Sequence, residues 1–315
     1  MFCSTVIPTI GRSTLSRAVN SVLDQKLKDG DYEVIVVNDS GVPLPKADWQ
    51  RSERVQILET NRRERSVARN SGAALAKGKF LHFLDDDDWL LPGAFENFFD
   101  LTQSGNAIWL YGASRLVNQQ GELIIHLRNR MQGNCFLQSM AGEWIPLQAS
   151  LIDANQFFSV GGFTPTMSAT EDIDLLRRIL LVGDVAYTED EVVCIRVGPE
   201  GSSTDYSVSI ENGRRAREEV LSAMGAFDRM RSSASSSYWY GRMVRVYWTS
   251  AAWNLWHGRL FAALNRFFFG FKAAASTGSQ TLSSSFWRSM ATSYESPTFL
   301  KGFQEVNRPV ERRSN

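Results

Sequence analysis

Cysteine is scarce in this chain, and the three that occur, Cys3, Cys135 and Cys194, are odd in number, far apart and without a CxxC pair. That excludes a disulfide framework and a thiolate zinc site, and points to a reducing compartment. Histidine is equally scarce: His82, His126 and His257 form no recognisable ligand cluster. The N-terminus has no basic-then-apolar stretch of the kind that opens a signal peptide, and no uninterrupted apolar run reaches the roughly 18 residues of a membrane span. The expected location is therefore the cytoplasm. Net charge is also missing, with 34 basic and 34 acidic side chains among 315 residues, so no nucleic-acid partner is expected.

The neutral total conceals a division. Residues 1–205 carry 19 basic and 27 acidic side chains, a net of −8, while residues 206–315 carry 15 and 7, a net of +8. With 43% hydrophobic residues, the chain can bury a substantial core, and it is expected to form one large domain, 1–205, with an extension, 206–315.

In the first part, strand-like and helix-like segments alternate, which predicts an α/β fold around a largely parallel sheet. "STVIPTI" reads as a strand ending at Pro8, and "RSTLSRAVNSVLDQ" as an amphipathic helix with Ser13 as N-cap. "YEVIVVNDSG" and "RVQILET" read as strands. "RERSVARNSGAALAKG" reads as a helix with a small-residue face and a stop at Gly78, and "KFLHFL" as a fourth, doubly buried strand. Ligands of such sheets bind beyond the carboxyl ends of the strands. Thr9, Asp39 and the run Asp85 to Asp88 all lie at those ends.

That run, in "KFLHFLDDDDWLLP", admits two readings. Four adjacent acids can be a solvated loop after a strand. Hemmed by apolar residues, however, four like charges repel one another and resist desolvation unless a cation sits among them, and a divalent metal meets that need.

Taken in order, "VIPTIGR", "VVNDSG", "SVARNSGAALAKGKFLHFLDDDDW" and "GGFTPTMSATEDIDLLRRIL" resemble the motifs of family 2 glycosyltransferases, over about residues 1–200. The resemblance implies a GT-A fold, a Rossmann-like mixed α/β sheet, here with a C-terminal helical extension. It also implies an inverting, non-processive transfer of a single sugar from a nucleotide-sugar donor, a UDP-sugar by expectation, to a glycan or lipid-linked acceptor. A divalent metal, Mn²⁺ or Mg²⁺, would stabilise the diphosphate leaving group.

Carried over residue by residue, the resemblance makes Asp87 the metal ligand, turns Asp85 and Asp86 toward the nucleoside, and gives Pro8, Thr9 and Asp39 to the base and ribose. For Thr9 and Asp39 the plain alternative is a turn or cap. Arg62, in the cationic "NRRER", is the candidate to reach the base or diphosphate, a solvated basic face being the alternative. Asp88 is either a partner for an arginine such as Arg69 or a helix cap. In the "ED" pair, Asp172 is implied as the general base and Glu171 as an acceptor-side residue. Residues of either kind also stabilise a first helical turn, here a helix expected from about Ile173. Asp174 lies about 200° further round that helix and is not expected to share the site. Trp144 offers a face on which a sugar ring could stack, or is core. Gln148 is expected to bond an acceptor hydroxyl.

Two motifs depart from expectation or are absent. The downstream histidine of many family members is missing in "CIRVGPEGSS", where Arg196 stands as a substitute diphosphate contact. Neither a Gln-x-x-Arg-Trp motif nor the spanning helices of processive synthases occur. The alternatives to a transferase are a sugar-phosphate nucleotidyltransferase, whose Gly-rich phosphate loop "IPTIGRSTL" matches poorly, and a catalytically dead nucleotide-sugar-binding homologue.

The second part reads as helical. "ENGRRAREEVLSAMGAFDRM" is expected as one helix, "SSASSS" as a break, and "YWYGRMVRVYWTSAAWNLW", "GRLFAALNRFFFGFKAAAS" and "FWRSMATSY" as further helices. Five of the nine tryptophans lie here, and no acidic residue occurs between Arg229 and Tyr294. Such helices either pack on the catalytic part or lie on the inner face of an anionic membrane as a peripheral contact. "VNRPVERRSN" is expected to be a frayed tail.

Overall fold

A computed structural model describes residues 1–27, 31–61, 64–103, 105–167, 169–198 and 206–292, the side chains of 206–209 excepted. The expected boundary at residue 205, Arg62 and the C-terminal tail lie outside these residues.

The first βα units follow the sequence pattern. β1 (Cys3–Thr9), β2 (Tyr32–Asn38) and β3 (Val55–Glu59) run parallel, with α1 (Leu15–Leu23) and α2 (Arg65–Leu75) as crossovers. β4 (Phe80–Phe83) joins β1 in parallel on its other side. α1 does not begin at a Ser13 cap. Thr14 precedes it in a helical conformation, and no side chain caps the first turn. α2 is capped instead by Glu64, whose carboxylate accepts from the amides of Ser66 and Val67. Its small-residue face is required by packing: a Cβ on Gly72 would lie 2.4 Å from Val6 Cγ1 and 2.9 Å from Val37 Cγ2.

The sheet then becomes mixed. β5 (Trp89–Leu90), α3 (Ala94–Gln103), β6 (Trp109–Val117), β7 (Leu123–Leu127), α4 (Phe136–Ala141), β8 (Ser150–Asp153), α5 (Ala154–Ser159), α6 (Glu171–Val182) and β9 (Val185–Arg196) follow in the chain. The strand order is β3-β2-β1-β4-β8-β6-β9-β5, with β7 paired to β6. β8 is antiparallel to both neighbours, so the sheet is parallel only in its first half and again between β6 and β9. Side chains alternate between two cores. Val34 and Val36 face the side holding Val19, Phe95 and Phe98, and Ile35 and Val37 face the side holding Phe136, Phe163 and Leu176.

The second core does not stop at the sheet. It continues into α7 (Tyr206–Leu221), α8 (Ala226–Ser233), α9 (Ser237–Trp256), α10 (Leu260–Ser276) and α11 (Ser284–Ala291) through Val220, Phe227, Met243, Tyr247 and Phe286. The helical extension is thus docked on the catalytic part. The single helix expected over 211–230 is two, broken at Gly225, whose φ of +84° is a left-handed conformation that glycine adopts without penalty. Among the described residues no helix is long and apolar enough to cross a membrane.

Candidate active site

The acidic run is pinned at both ends. Leu84 continues β4 by bonding to the Val6 carbonyl (3.1 Å), and Asp88 N closes the turn on the Asp85 carbonyl (3.1 Å). Trp89 and Leu90 then leave as β5, antiparallel to Val193 and Cys194 of β9, with the Arg17 guanidinium 3.1 Å from the Trp89 ring centre. The apolar residues flanking the acids are therefore strand, and the acids between them sit at the carboxyl end of β4 with little freedom to move apart.

Each acid has a different partner. Asp85 accepts from Arg69 Nη2 (2.7 Å) and from Gln148 Nε2 (2.9 Å). Asp86 accepts from the Thr9 hydroxyl (2.5 Å) and from Arg12 Nη1 (2.8 Å). Asp87 meets Arg12 at 3.3 Å and keeps 32% of its side chain exposed. Asp88, buried, accepts from the Arg196 amide (2.7 Å). The expected pairing of Asp88 with Arg69 does not occur, because the turn aims Asp85 at α2 and Asp88 at β9. Burial pushes the carboxyls of Asp86, Asp87 and Asp88 upward, and for Asp87 and Asp88 the next cause is the negative charge of Asp85. Asp85 is lowered: burial raises it, but Arg69, with Arg65 and Gln148 behind it, more than offsets that.

Thr9 gives its only proton to Asp86 and accepts from Gly11 N (2.9 Å), so its hydroxyl holds the acidic loop in place. Asp39 accepts from the Thr60 hydroxyl and from Glu64 N, both at 2.8 Å. Gln148 is placed by a buried histidine. His82 Nε2 lies 2.9 Å from the Gln148 carbonyl and Nδ1 lies 3.1 Å from the Thr5 hydroxyl; burial pushes this imidazole down to about 4, so it is neutral near pH 7. The Gln148 Oε1 atom is buried without a partner among the described residues, an acceptor suited to an incoming hydroxyl.

Pro8, Thr9, Asp39, Asp85, Asp86, Asp87 and Gln148 converge on one cleft of about 700 Å³, together with Arg12, Arg65 and Arg196. Glu171, Asp172 and Trp144 stand outside its lining but are tied to it. Arg69, buried, reaches Asp85 on one side and Glu171 Oε1 (3.1 Å) on the other, and Arg65 meets Glu171 at 3.3 Å. Glu171 and Asp172 form the first turn of α6, two residues earlier than the helix start expected from sequence. Asp172 accepts from Trp144 Nε1 (2.8 Å). Burial, and next the charge of Glu171, pushes its carboxyl up to about 6. Trp144, half-buried, thus orients a carboxylate through its ring nitrogen. Asp174 points elsewhere, accepting from the Thr164 hydroxyl and Arg178.

Sequence reasoning missed Arg12. Its signal was the "GR" directly after β1, where Gly11 takes a φ of +85° and turns the chain back over the strand end.

The donor set suits a hard cation carried by a substrate. Among the described residues no three His, Cys, Asp or Glu side chains converge as metal ligands. A metal held here would take one or two carboxylates from the protein, the arrangement Mg²⁺-type ions adopt when phosphates and water complete the shell. Asp87 fits that share: it is the most exposed of the four acids, and its carboxyl is raised first by burial and next by the charge of Asp85.

The profile described as Glycosyl transferase family 2 matches residues 4–173, more than half of the chain. The chain belongs to glycosyl transferase family 2. Among its relatives in that family is the poly(ribitol-phosphate) beta-N-acetylglucosaminyltransferase TarP of Staphylococcus aureus, 32% identical over 115 residues, which are 35% of this chain and 35% of the relative. Another is the GalNAc(5)-diNAcBac-PP-undecaprenol beta-1,3-glucosyltransferase of Campylobacter jejuni, 32% identical over 127 residues, 38% of this chain and 40% of the relative. These matches span well under half of either relative. Of solved structures, S. aureus TarS 1-349 in complex with UDP-GlcNAc superposes with a TM-score of 0.59 at 14% identity, covering 89% of this chain and 92% of that one. The family 2 fold is accordingly the expected GT-A arrangement, with helices following the catalytic sheet.

Proposed function

We propose that this family 2 protein is an inverting glycosyltransferase that moves a single sugar from a UDP-sugar to a hydroxyl of a glycan or lipid-linked acceptor. The observation that carries the reading is the Arg69 bridge. One buried guanidinium, bonded to Asp85 at 2.7 Å and to Glu171 at 3.1 Å, links the donor cleft to the helix that bears Asp172.

In this reading Pro8, Thr9, Asp39, Asp85 and Asp86 hold the nucleoside side of the donor, and Arg12 and Arg196 face its diphosphate. Asp87 would hold a Mn²⁺ or Mg²⁺ ion, which when bound supplies charge stabilisation to the departing diphosphate. Gln148 and Trp144 serve the acceptor side. Asp172, oriented by Trp144, removes the acceptor proton as the oxygen attacks the anomeric carbon. The two relatives named above act, by their names, on a poly(ribitol-phosphate) and on a diphospho-undecaprenol glycan. Both support an acceptor that carries phosphate.

A peripheral contact at the inner face of the membrane belongs to the same reading. On α10 the side chains of Leu260, Phe261, Leu264, Phe267, Phe268 and Phe271 are each more than half exposed, and the segment around them contains no acid from Arg229 to Tyr294.

The test is Asp172→Asn. It keeps the Trp144 hydrogen bond and cannot take a proton, so turnover should fall by about 10²–10⁴ while binding of UDP is retained. Asp190→Asn, on the exposed part of β9, is the control. Near-parental turnover of Asp172→Asn would remove the base assignment.

A further inference from the structure

A second cleft, of about 980 Å³, opens between the catalytic part and the helical extension, and it shares no lining residue with the first. Its walls come from the end of α4, the first turns of α6, one face of α7 and the face of α9 opposite them. Thr170 and Ile173, which bracket Glu171 and Asp172, lie in its lining, as does Gly142, two residues before Trp144. The cleft therefore adjoins the turn that carries the proposed base.

Five arginines line it, Arg177 from α6, Arg214 and Arg217 from α7, and Arg242 and Arg245 from α9, against two glutamates. Both glutamates hydrogen-bond to partners other than these five arginines, although the charge of Glu218 reaches Arg217. Glu218 pairs with Arg266 (3.2 Å) and Asn254 (2.7 Å), and Glu211 lies 3.5 Å from His257 and 3.3 Å from Trp253 Nε1. Arg177, only 4% exposed, donates to the carbonyls of Gly213 (2.7 Å) and Ser139 (3.5 Å). Arg217 Nε is buried without a hydrogen-bond partner among the described residues. Arg245 likewise meets carbonyls, those of Met290 and Ala291.

Guanidinium groups taken from water without a carboxylate are costly. Burial, and next the charge of Arg217, lowers Arg177 to about 9 against the pull of Asp174 and Asp172, and burial lowers Arg217 too although the charge of Glu218 acts against it. An anion between them reverses that cost. The planar forks of arginine match phosphate oxygens in pairs, and two of the five, Arg177 and Arg242, are buried while Arg214, Arg217 and Arg245 keep part of their surface open to the cleft.

We propose that this cleft is the acceptor's phosphate subsite: it holds a phosphodiester or diphosphate of the acceptor while the hydroxyl to be glycosylated reaches Asp172. The proposal rests on the transferase reading, since it assigns the donor's own diphosphate to the acidic cleft.

Calorimetric titration with saturating UDP present tests it in two arms, a soluble glycerol phosphate oligomer and a short-chain isoprenyl diphosphate in detergent. Binding in the first arm alone identifies a polymer phosphodiester, and in the second alone a lipid diphosphate. Arg217→Gln should bind the successful probe at least about tenfold more weakly, the loss of one charge-assisted hydrogen bond. Arg214→Gln, on an exposed side chain that folding does not need, should weaken it about threefold. Arg215→Gln removes the same charge from the same helix outside the cleft, where Arg215 pairs with Glu219, and should bind like the parent. The proposal is overturned if neither probe binds, if Arg217→Gln and Arg214→Gln both bind as the parent does, or if Arg215→Gln loses as much as Arg217→Gln. Nucleotide-sugar turnover by the parent is read separately. Its absence with probe binding intact overturns the transferase reading alone.

Discussion

Burial and Glu171 hold the Asp172 carboxyl at about 6, close to the pH at which a base must be deprotonated and still basic enough to take a proton. Transfer measured at limiting substrate should therefore rise as pH increases toward about 6 and level off above it. A flat rate between pH 5 and 7, in about the window where this carboxyl loses its proton, would mean that another group takes the proton. The stability contribution has the opposite direction. A carboxyl raised in the fold stabilises it at low pH, and that contribution is lost as pH rises from the unfolded value through about 6. Asp87 calls for a different measurement. Asp87→Ala removes one of four mutually repelling carboxylates but also the 3.3 Å contact with Arg12, so the melting temperature without metal should stay the same or rise slightly. Calorimetry should show Mn²⁺-dependent UDP binding lost. Binding as tight as that of the parent would exclude Asp87 as the ligand. At this scale the sequence was legible in placing Thr9, Asp39 and the four acids at strand ends around one cleft. It was not legible for the partners. Arg12, Arg69 and Arg196 reach the acids from elements 16 to 108 residues away, and only the register of β5 on β9 aims Asp88 at Arg196.

Among the elements, α6 is held from two sides. Its first turn presents Asp172 to Trp144, while its other side is locked by Asp174, 1% exposed, which bonds Arg178 at 2.6 Å. Arg178 in turn holds the carbonyls of Val160 and Gly162. Asp174→Asn is thus a structural lesion. Breaking a buried pair should cost about 3 kcal/mol, read as a lower midpoint in urea, with UDP binding preserved in the fraction that remains folded. An unchanged midpoint would show that Arg178 finds other acceptors. Sequence periodicity found this helix because its apolar positions repeat at helical spacing. It did not separate α7 from α8, since Gly225 interrupts a pattern that reads through on either side. The arginines of the second cleft were invisible for another reason: three helices, distant in sequence, each contribute one or two, and each looks like an ordinary solvated cation on its own.

At the scale of the molecule, the first of the two alternatives set from sequence, docking on the catalytic part, is met. Its inner side shares a core with the sheet through Met243, Tyr247 and Phe286, and its outer side leaves the apolar row of α10 uncovered among the described residues. Docking does not consume the aromatic residues, so a membrane contact is compatible with it. Sedimentation with anionic vesicles should show binding at low salt that weakens as salt shortens the reach of charge. Replacing Phe261 and Phe268 by Ser should weaken binding at every salt concentration. No sedimentation at low salt would exclude the membrane contact, because attraction is strongest there.

Arg69 is a cation with two masters. In the proposed reading, a donor that changes the charge of Asp85 would change how much of that guanidinium is left for Glu171, and an acceptor beside Glu171 would act back on Asp85 by the same path. Coupling of this kind is reciprocal: the factor by which donor tightens acceptor is the factor by which acceptor tightens donor. If donor and acceptor bind as proposed, each should change the other's affinity by one and the same factor, and equal donor affinity with and without acceptor would exclude this path.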